Sequence, residues 1–390
     1  MKSNYRPLGE IIYRVDERNS DGQINNLIGV SIDKCFIKSV ANTIGTDLSK
    51  YKVIRRNQFA VSLMQVSRDA KIPIACLDED VAIMSPAYSI FAVKNENEVL
   101  PAYLNLWFQR SEFDREAAYI AVGGVRGSMP WDDFCRIEGH VPGIEEQRHI
   151  VEQYNVINKR IELKKKINDN LVALGLTILS DKVGNAALIN KTQSEIENIL
   201  LPEGWKIMPI SQYCIETKSG ATPSREASDY WRDGVIPWVK SGEVHNGIIS
   251  MVEESITQLA VNNTSTKLLP SDTVLMAMYG VTAGEVGYLS IPATTNQAVC
   301  GMVCKSKAES AYLFFALLQN KDQASRLSNG GAQDNLSKTF IDNILLVVPS
   351  ATEIESLPFK RIIEEMLLGT TEIQLLTEMQ EKLLSQLSSR

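Results

Sequence analysis

The sequence predicts an α+β protein in which two similar strand-rich globules alternate with two long helices. Three observations lead to this fold class. A long run of mixed charged and apolar residues lies mid-chain, a second such run closes the chain, and short segments of the two halves match in the same order. With 390 residues the chain suits two domains plus connectors better than one compact domain.

The first long helix is predicted from Glu145 to about Leu179. This run has no proline, and its only glycine, Gly175, lies near the C-terminal end. Apolar residues recur mostly at three- and four-residue steps with charges between them, at Ile150, Tyr154, Ile157, Ile161, Ile167, Leu171, Leu174 and Ile178. This is the period of a narrow apolar stripe on a helix about 50 Å long. A helix of that length with so thin a stripe needs a partner helix.

Residues 353–387 offer the partner, since they have the same mixture of Leu, Ile and charge. Pro358 interrupts the first turns, so the continuous helix is expected to start near Phe359. At one constant offset, the apolar residues Ile373, Leu375, Met379 and Leu383 align with Ile161, Leu163, Ile167 and Leu171. The two helices are therefore predicted to be copies of each other. Two unrelated helices on separate domains are the alternative.

Matching segments extend the repeat to the globules. Each match combines similar residue types in the same order along the chain: 51–64 with 266–278, 85–93 with 296–304, 102–104 with 311–313, the glycine pair 123–124 with 330–331, and the apolar stretch before Pro142 with that before Pro349. Six such features in one order, counting the acidic residue and long helix after each proline, indicate an internal repeat.

The repeat divides the chain into five parts. Short strands such as 273–278 and 344–348 are mixed with helices such as 102–110 and 312–319, without regular βαβ alternation. The predicted parts are a first globular domain at 1–144, the central long helix at 145–183, a linker at 184–203, a second globular domain at 204–350 and the C-terminal long helix at 351–390.

Composition excludes several classes of protein. No run of eighteen apolar residues exists and the first residues have no apolar signal core, so we expect a cytoplasmic protein that contacts no membrane. The six cysteines form no CxxC pair and are expected to be reduced thiols in the core. A net charge of −7 argues against a histone-like cation but leaves nucleic-acid binding open, because binding depends on local placement of Lys and Arg.

The sequence shows no catalytic or metal-binding motif. It lacks a GxxxxGK[ST] phosphate loop, a GxGxxG turn and the Asn/Asp-Pro-Pro-Tyr signature of adenine methylation. The three histidines, His140, His149 and His245, have no metal-ligand spacing. We therefore predict neither catalytic nor metal-binding residues and no cofactor of the chain's own.

The side chains that remain as functional candidates are ones suited to binding nucleic acid. Residues 220–244 combine cationic and aromatic side chains in Gly- and Ser-spaced loops, and Trp238 is expected to pack behind them while Arg225 and Lys240 are exposed. Arg and Lys suit phosphates and guanine, amides suit adenine, and aromatic rings stack on bases or support the surface. The candidate DNA contacts are Ser67, Arg68, Lys71, Arg126, Ser128, Arg225, Tyr230, Arg232, Lys240, Glu243, Tyr279, Asn296, Gln297 and Gln333.

These segments resemble a known family, the specificity subunits of type I restriction–modification systems. In the second half the resemblance rests on Trp205-Lys206, GATPS at 220–224, DYW at 229–231, IPWVKSGEV at 236–244, KLLPSDTVLMAM at 267–278 and TTNQAV at 294–299. In the first half it rests on 27–31, 49–60, 85–91, 123–134 and, most specifically, PGIEEQRHI at 142–150. The second copy departs from this last motif with Glu353-Ile354, so its helix start is expected to be capped differently.

The resemblance implies two target-recognition domains, each reading one half of a split, asymmetric double-stranded DNA site. It also implies that the two long helices pack as an antiparallel coiled coil that sets the gap between half-sites and docks two methyltransferase subunits. Restriction–translocase subunits are implied as further partners. The chain would be a non-catalytic subunit in host defence, with S-adenosylmethionine, ATP and Mg held by the partners.

Other readings stay open at this point. A specificity subunit of a related system that cleaves on both sides of its site is one alternative. A free-standing nuclease or DNA methyltransferase with an unrecognised active site belongs to another class, and would be active as an isolated chain. A pure coiled-coil scaffold would leave the loops bearing Arg and Trp without a role.

Overall fold

A computed structural model describes residues 4–39, 46–64, 66–121, 127–189, 191–329 and 335–387. The chain forms two compact units. Unit 1 comprises residues 1–160 and 376–390, and unit 2 comprises residues 161–375. Both unit boundaries therefore fall inside the two long helices. Unit 1 is built from two separate parts of the chain, and unit 2 is the continuous stretch between them.

The two long helices are confirmed. Helix α6 runs over Ile144–Lys182, 39 residues without a break, and helix α14 over Phe359–Gln386, 28 residues. A separate short helix, α13 (Ala351–Ser356), precedes α14, and the break between them lies at Leu357–Pro358 as predicted from the proline.

The described part of unit 1 contains short strands and helices in addition to its portions of the long helices. The strands are β1 (Tyr5–Pro7), β2 (Ile12–Val15), β3 (Ile28–Val30), β4 (Phe36–Lys38), β5 (Lys52–Arg55), β6 (Phe59–Val61), β7 (Ile74–Cys76), β8 (Val81–Met84), β9 (Ser89–Val93) and β10 (Glu138–His140). The helices are α1 (Leu8–Ile11), α2 (Val66–Asp69), α3 (Pro101–Gln109), α4 (Ser111–Ala121) and α5 (Trp131–Arg136).

A four-stranded antiparallel sheet with the order β2-β9-β6-β7 forms the centre of unit 1. The described part of unit 1 also contains the two-stranded ladders β1-β10, β3-β4 and β5-β8. The core on one side of the sheet is aromatic: Phe59 and Phe91 stack with ring centroids 5.0 Å apart, and Phe108 meets Phe59 edge-on at 5.6 Å. Helix α3, predicted at 102–110, contributes Phe108 and is confirmed.

One buried ion pair joins three segments of unit 1. The ammonium group of Lys34 lies 2.8 Å from the carboxylate of Asp114, with 5% and 12% of the two side chains exposed. Lys34 also donates to the carbonyl of Phe108, and Asp114 accepts a hydrogen bond from the backbone N–H of Ile72. Burial lowers the pKa of Lys34, and the hydrogen bond to Asp114 partly offsets this shift. The pair therefore fixes the end of the 67–71 segment against helix α4.

Removal of only one partner of this pair is expected to be costly. Asp114→Ala leaves the buried ammonium group of Lys34 without its counter-charge and the buried N–H of Ile72 without its acceptor, which destabilises by about 3–5 kcal/mol. Urea unfolding should show this loss in the transition of unit 1. The matched double variant Lys34→Met/Asp114→Asn removes both charges but keeps an acceptor for Ile72, so it should recover most of the stability. Equal losses in the two variants would contradict a role for the charge pair.

The described part of unit 2 is also mixed. Its strands are β11 (Ala187–Leu188), β12 (Lys206–Pro209), β13 (Glu216–Ser219), β14 (Ile236–Val239), β15 (Gly247–Ile249), β16 (Ser255–Ile256), β17 (Thr273–Ala277), β18 (Val286–Leu289), β19 (Thr294–Thr295), β20 (Val299–Val303) and β21 (Leu345–Val348). Its remaining helices are α7 (Gln193–Glu197), α8 (Ile210–Tyr213), α9 (Gln258–Asn263), α10 (Lys307–Gln319), α11 (Lys321–Asn329) and α12 (Lys338–Asp342).

Unit 2 has a five-stranded sheet with the order β13-β20-β17-β18-β15, in which only the β15–β18 pair is parallel. Two three-stranded sheets, β16-β14-β19 and β11-β21-β12, complete it. The predicted strands at 273–278 and 344–348 and the helix at 312–319 are confirmed, although that helix already begins at Lys307. Strand β11 lies in the predicted linker, where it pairs with β21, so this part of the linker belongs to the fold of unit 2.

The buried face of α6 in unit 2 differs from the predicted stripe. Ile167 and Leu174 are exposed, whereas Leu179 is fully buried and Leu171, Val172 and Leu176 pack on the core. Two residues that are not apolar occupy the contact face. Asn168 donates 3.1 Å to the hydroxyl of Thr370, and Gly175 leaves room for Phe315, whose ring would lie 2.2 Å from a Cβ atom at that position. The predicted members Leu171 and Ile178 do pack on the core, so the apolar pattern is wrong for Ile167 and Leu174 only.

The two helix starts that follow Pro142 and Pro349 are held differently, as predicted. Gln147 is fully buried; its amide donates to the carbonyls of Glu98 and Pro142 and accepts from the N–H of Leu100. In the second copy Ser350 and Glu353 form a reciprocal capping box instead.

Three further findings bear on the sequence predictions. All six cysteines are free thiols, and Cys214, Cys300 and Cys304 are buried, but Cys35 is exposed, so the expected core position is wrong for Cys35. Among the described residues no helix is long and apolar enough to cross a membrane. No group of three or more potential metal ligands occurs in the part of the chain that the structure describes.

Candidate nucleic-acid interface

The loop between β13 and β14 in unit 2 is held at several points along its length. The N–H of Ala221 donates to the carbonyl of Thr295 over 3.0 Å, and the indole N–H of Trp238 donates to the carbonyl of Ala221 over 3.0 Å. The indole N–H of Trp231 donates to the carbonyl of Ser224 over 2.9 Å. These hydrogen bonds therefore hold the loop, residues 220–235, in a defined conformation on the surface of unit 2.

Arg225 lies at the centre of this loop. Its guanidinium carbon is 3.7 Å from the ring centroid of Trp231 and 5.1 Å from that of Trp238. The two indole rings meet edge-on, with centroids 5.0 Å apart. Trp238 is only 2% exposed, which confirms that it packs behind the loop. Arg225 thus rests on an aromatic support, in a geometry where cation–π attraction is significant.

Arg225 is also paired with Glu254, to whose two carboxylate oxygens it donates. These hydrogen bonds lower the pKa of Glu254. The side chain of Arg225 is nevertheless 53% exposed, which confirms the predicted exposure and leaves part of the guanidinium accessible.

Lys240 shares the same carboxylate. Its ammonium group lies 3.2 Å from Glu254 and also contacts Glu253, and the hydrogen bond to Glu253 raises the pKa of Lys240. Its side chain is 30% exposed, less than that of Arg225. Arg225 and Lys240 therefore both have carboxylate partners within unit 2.

The predicted contact Glu243 has a structural position. Its two carboxylate oxygens accept backbone hydrogen bonds of 2.7 Å each, one from Lys240 and one from Glu253. The side chain therefore closes the turn that carries Lys240 and joins it to the segment that carries Glu253.

The two predicted amides next to strand β20 are also engaged. The side-chain oxygen of Asn296 accepts from the N–H of Ala298 over 3.1 Å, and the N–H of Asn296 donates to the carbonyl of Val239. Gln297 is exposed and accepts a hydrogen bond from the hydroxyl of Thr222. Asn296 thus shapes the turn, whereas Gln297 lies on the surface beside the 220–235 loop.

Three further predicted contacts of unit 2 lie on or near the surface. Tyr230 is half-buried against the cluster around Trp238, and Arg232 is exposed, with no ion-pair partner for it among the described residues. Tyr279 is 39% exposed at the end of β17 and forms a bridge to Asn335. Arg232 and Tyr279 are the more accessible of the three.

Unit 1 brings some of its predicted contacts together. Ser67 and Arg68 lie on α2, and a Cβ atom at Gly127 would lie 2.2 Å from the hydroxyl of Ser67, so Ser128 follows a segment that touches this helix. Arg68 pairs with its neighbour Asp69 at 2.6 Å and is exposed. Lys71 is exposed just before Ile72, whose N–H is bound by the buried Asp114. Ser67, Arg68 and Lys71 therefore lie on or just after α2 in unit 1.

Two predicted contacts, Arg126 and Gln333, lie outside the described residues, as do the matched glycine pairs 123–124 and 330–331. Sequence reasoning missed Glu253 and Glu254, which pair with Arg225 and Lys240. The acidic pair is visible in the sequence, but its partner Arg225 is 29 positions away from Glu254, so no local pattern connects them.

Comparison with known proteins assigns unit 2 to a family. Residues 202–368 match the family described as Type I restriction modification DNA specificity domain. The resemblance to type I specificity subunits that the sequence predicts is thereby confirmed for this part of the chain. The matched range includes the 220–235 loop, Glu253, Glu254 and the turns at Tyr279 and Asn296.

Two similar relatives carry the same description. The chain is 26% identical over 376 residues to the type I restriction enzyme HindI specificity subunit of Haemophilus influenzae. This match covers 80% of this chain and 81% of that protein. It is 29% identical over 162 residues to the MjaIX specificity subunit of Methanocaldococcus jannaschii. This second match covers 39% of the chain and 36% of the relative, so only about a third of that protein is matched.

A solved structure shows the same fold. The crystal structure of the type I restriction–modification S subunit from M. genitalium aligns with a TM-score of 0.54 at 13% identity, covering 98% of this chain and 95% of that one. At this identity the likeness concerns the fold alone.

Proposed function

We propose that this specificity subunit selects the DNA sequence on which a type I restriction–modification complex acts. The observation that carries the proposal is the match of residues 202–368 to a DNA specificity domain, within which the anchored 220–235 loop presents Arg225 on its aromatic support. Arginine, lysine and aromatic side chains in ordered loops are suited to phosphates and base edges.

Two recognition domains, one in each half of the chain, would each read half of a split site. The proposed domains are 1–144 and 204–350. Their sheets support this arrangement: the order β2-β9-β6-β7 in unit 1 has the same succession of strands along the chain as β13-β20-β17-β18 in unit 2. The surfaces differ, since α2 carries the candidate contacts of unit 1 and the 220–235 loop those of unit 2. Different surfaces imply an asymmetric target.

The long helices would pack as an antiparallel coiled coil that fixes the gap between the half-sites. Contacts inside each unit support opposite helix directions. In unit 2 Lys164 pairs with Glu372 at 2.7 Å, and Asn168 lies beside Thr370. In unit 1 Gln380 donates to Asn158. The gap would then correspond to about one turn of DNA between half-site centres.

The chemistry would belong to partner subunits. Two methyltransferase subunits would dock on the helices and bring S-adenosylmethionine, and restriction–translocase subunits would bring ATP and Mg. Base flipping would likewise take place in the methyltransferase, since a target atom inside a duplex is out of reach. The specificity subunit itself would act in the cytoplasm as a non-catalytic component that reads double-stranded DNA.

A genome-wide map of methylated adenines in cells with and without the gene tests this function. We expect one split motif with a fixed gap to lose its methylation on deletion. The isolated chain should neither transfer methyl groups nor hydrolyse DNA. Activity of the isolated chain, lost on substitution of one acidic residue, would instead establish a free-standing enzyme.

A further inference from the structure

Arg225 and Lys240 share one carboxylate, that of Glu254. Both side chains contact it, and Glu253 gives Lys240 a second partner. Two cations and two carboxylates therefore form a cluster with no net charge, on the surface of the domain that we propose reads DNA. A DNA duplex carries one negative charge per about 1.7 Å of its axis, and a protein surface with no net charge gains little electrostatic binding energy from these phosphates.

The position of Glu254 is fixed by the backbone. Its carbonyl oxygen accepts a 3.0 Å hydrogen bond from the N–H of Trp238, next to the indole that supports Arg225. The backbone of Glu254 is therefore held by strand β14, from where its carboxylate reaches both cations. Glu254 has 31% of its side chain exposed and Arg225 has 53%, so the pair is accessible to solvent and to a competing anion.

We propose that Glu254 is a specificity-determining residue that withholds Arg225 and Lys240 from DNA phosphates and so suppresses binding to unrelated sequences. This inference rests on the proposed function. Exposed ion pairs are weak, but they neutralise the positive charge on which sequence-independent DNA binding depends. Base edges at the correct site are read by directional hydrogen bonds, so these contacts depend less on net charge. Glu254 thereby lowers non-specific affinity more than specific affinity.

The test compares Glu254→Gln with Glu226→Gln in the full-length chain. Glu226 lies next to Arg225 and is exposed, and no ion pair is found for it among the described residues. Both variants change the net charge equally, but only Glu254→Gln removes the counter-charge of Arg225 and Lys240. Binding to a duplex of random sequence is measured over a series of salt concentrations, with thermal unfolding as a check on folding.

Glu254→Gln is expected to bind the random duplex about fivefold to tenfold more tightly than wild type near 0.1 M salt, with a salt slope steeper by about one unit. Glu226→Gln should stay within about twofold of wild type. In cells, Glu254→Gln should spread adenine methylation to near-cognate sites. Glu253→Gln, which leaves Arg225 and its aromatic support untouched, should show a smaller effect in the same direction and serves if Glu254→Gln unfolds.

The proposal is overturned if the salt slope of folded Glu254→Gln is no steeper than that of Glu226→Gln, or if neither the Glu254 nor the Glu253 variant binds the random duplex more tightly than wild type. The methylation map separates this failure from failure of the proposed function. A split motif that depends on the gene, together with unchanged salt slopes, would leave the specificity function standing and reject only the role of Glu254.

Discussion

Exchange of residues 204–350 for the equivalent domain of a relative should replace one half of the methylated motif and leave the other half unchanged. The reason is that these residues contain β12 to β21, the 220–235 loop and the turns at Tyr279 and Asn296, all within unit 2. We expect full replacement of this half of the motif, so that methylation of the old half-site is lost and methylation of the relative's half-site appears. Sequencing that detects methylated adenines measures both.

The structure suggests a second chimera as a matched control. Strand β11 lies before residue 204 but pairs with β21, through Ala187 with Leu346 and Leu188 with Leu345. Exchange of residues 185–350 keeps this pairing within one source and should give the same motif with better folding. If both half-sites changed together in either chimera, the assignment of one half-site to each domain would be wrong.

Shortening both long helices by about two turns is the second large change. Deletion of residues 158–164 from α6 and 373–379 from α14 removes opposed segments and keeps the contact of Asn168 with Thr370. Seven residues correspond to about 10 Å of helix, or about three base pairs of DNA. The half-sites should stay the same while the gap between them shortens. Methylation should also weaken, because three base pairs rotate one half-site by about 100° relative to the other.

Deletion from only one helix is the control for this prediction. It leaves the opposed residues without partners, so we expect loss of folding or of methylation rather than a new gap. An unchanged gap in the doubly shortened chain, with methylation retained, would refute the idea that the helices measure the distance.

Much of the fold can be predicted from the spacing of apolar residues and from the positions of proline in the sequence. The two long helices, the break at Pro358 and several strands can be read from apolar spacing and from proline, because these signals are local. The contact face of α6 in unit 2 cannot, since Asn168 and Gly175 lie on it and neither is apolar. A hydrogen bond and the space for Phe315 decide that face, and both depend on residues far away in the sequence.

The candidate interface, too, could be predicted from the sequence only in part. The sequence indicates which residue types line the loops, and the exposure of Arg225 and the burial of Trp238 are confirmed. It does not indicate which polar side chains are already engaged. Glu243 and Asn296 accept backbone hydrogen bonds and shape their turns, so both support the loops that carry them.

The most direct test of the central claim is the methylated-adenine map in three strains: wild type, a deletion of this gene, and the deletion complemented with the full-length chain. The account predicts one split, asymmetric motif with a fixed gap that is methylated in wild type, unmethylated in the deletion and restored by complementation. If the methylation pattern is identical in all three strains while the partner methyltransferase is present and active, the chain does not direct that enzyme to its DNA sites.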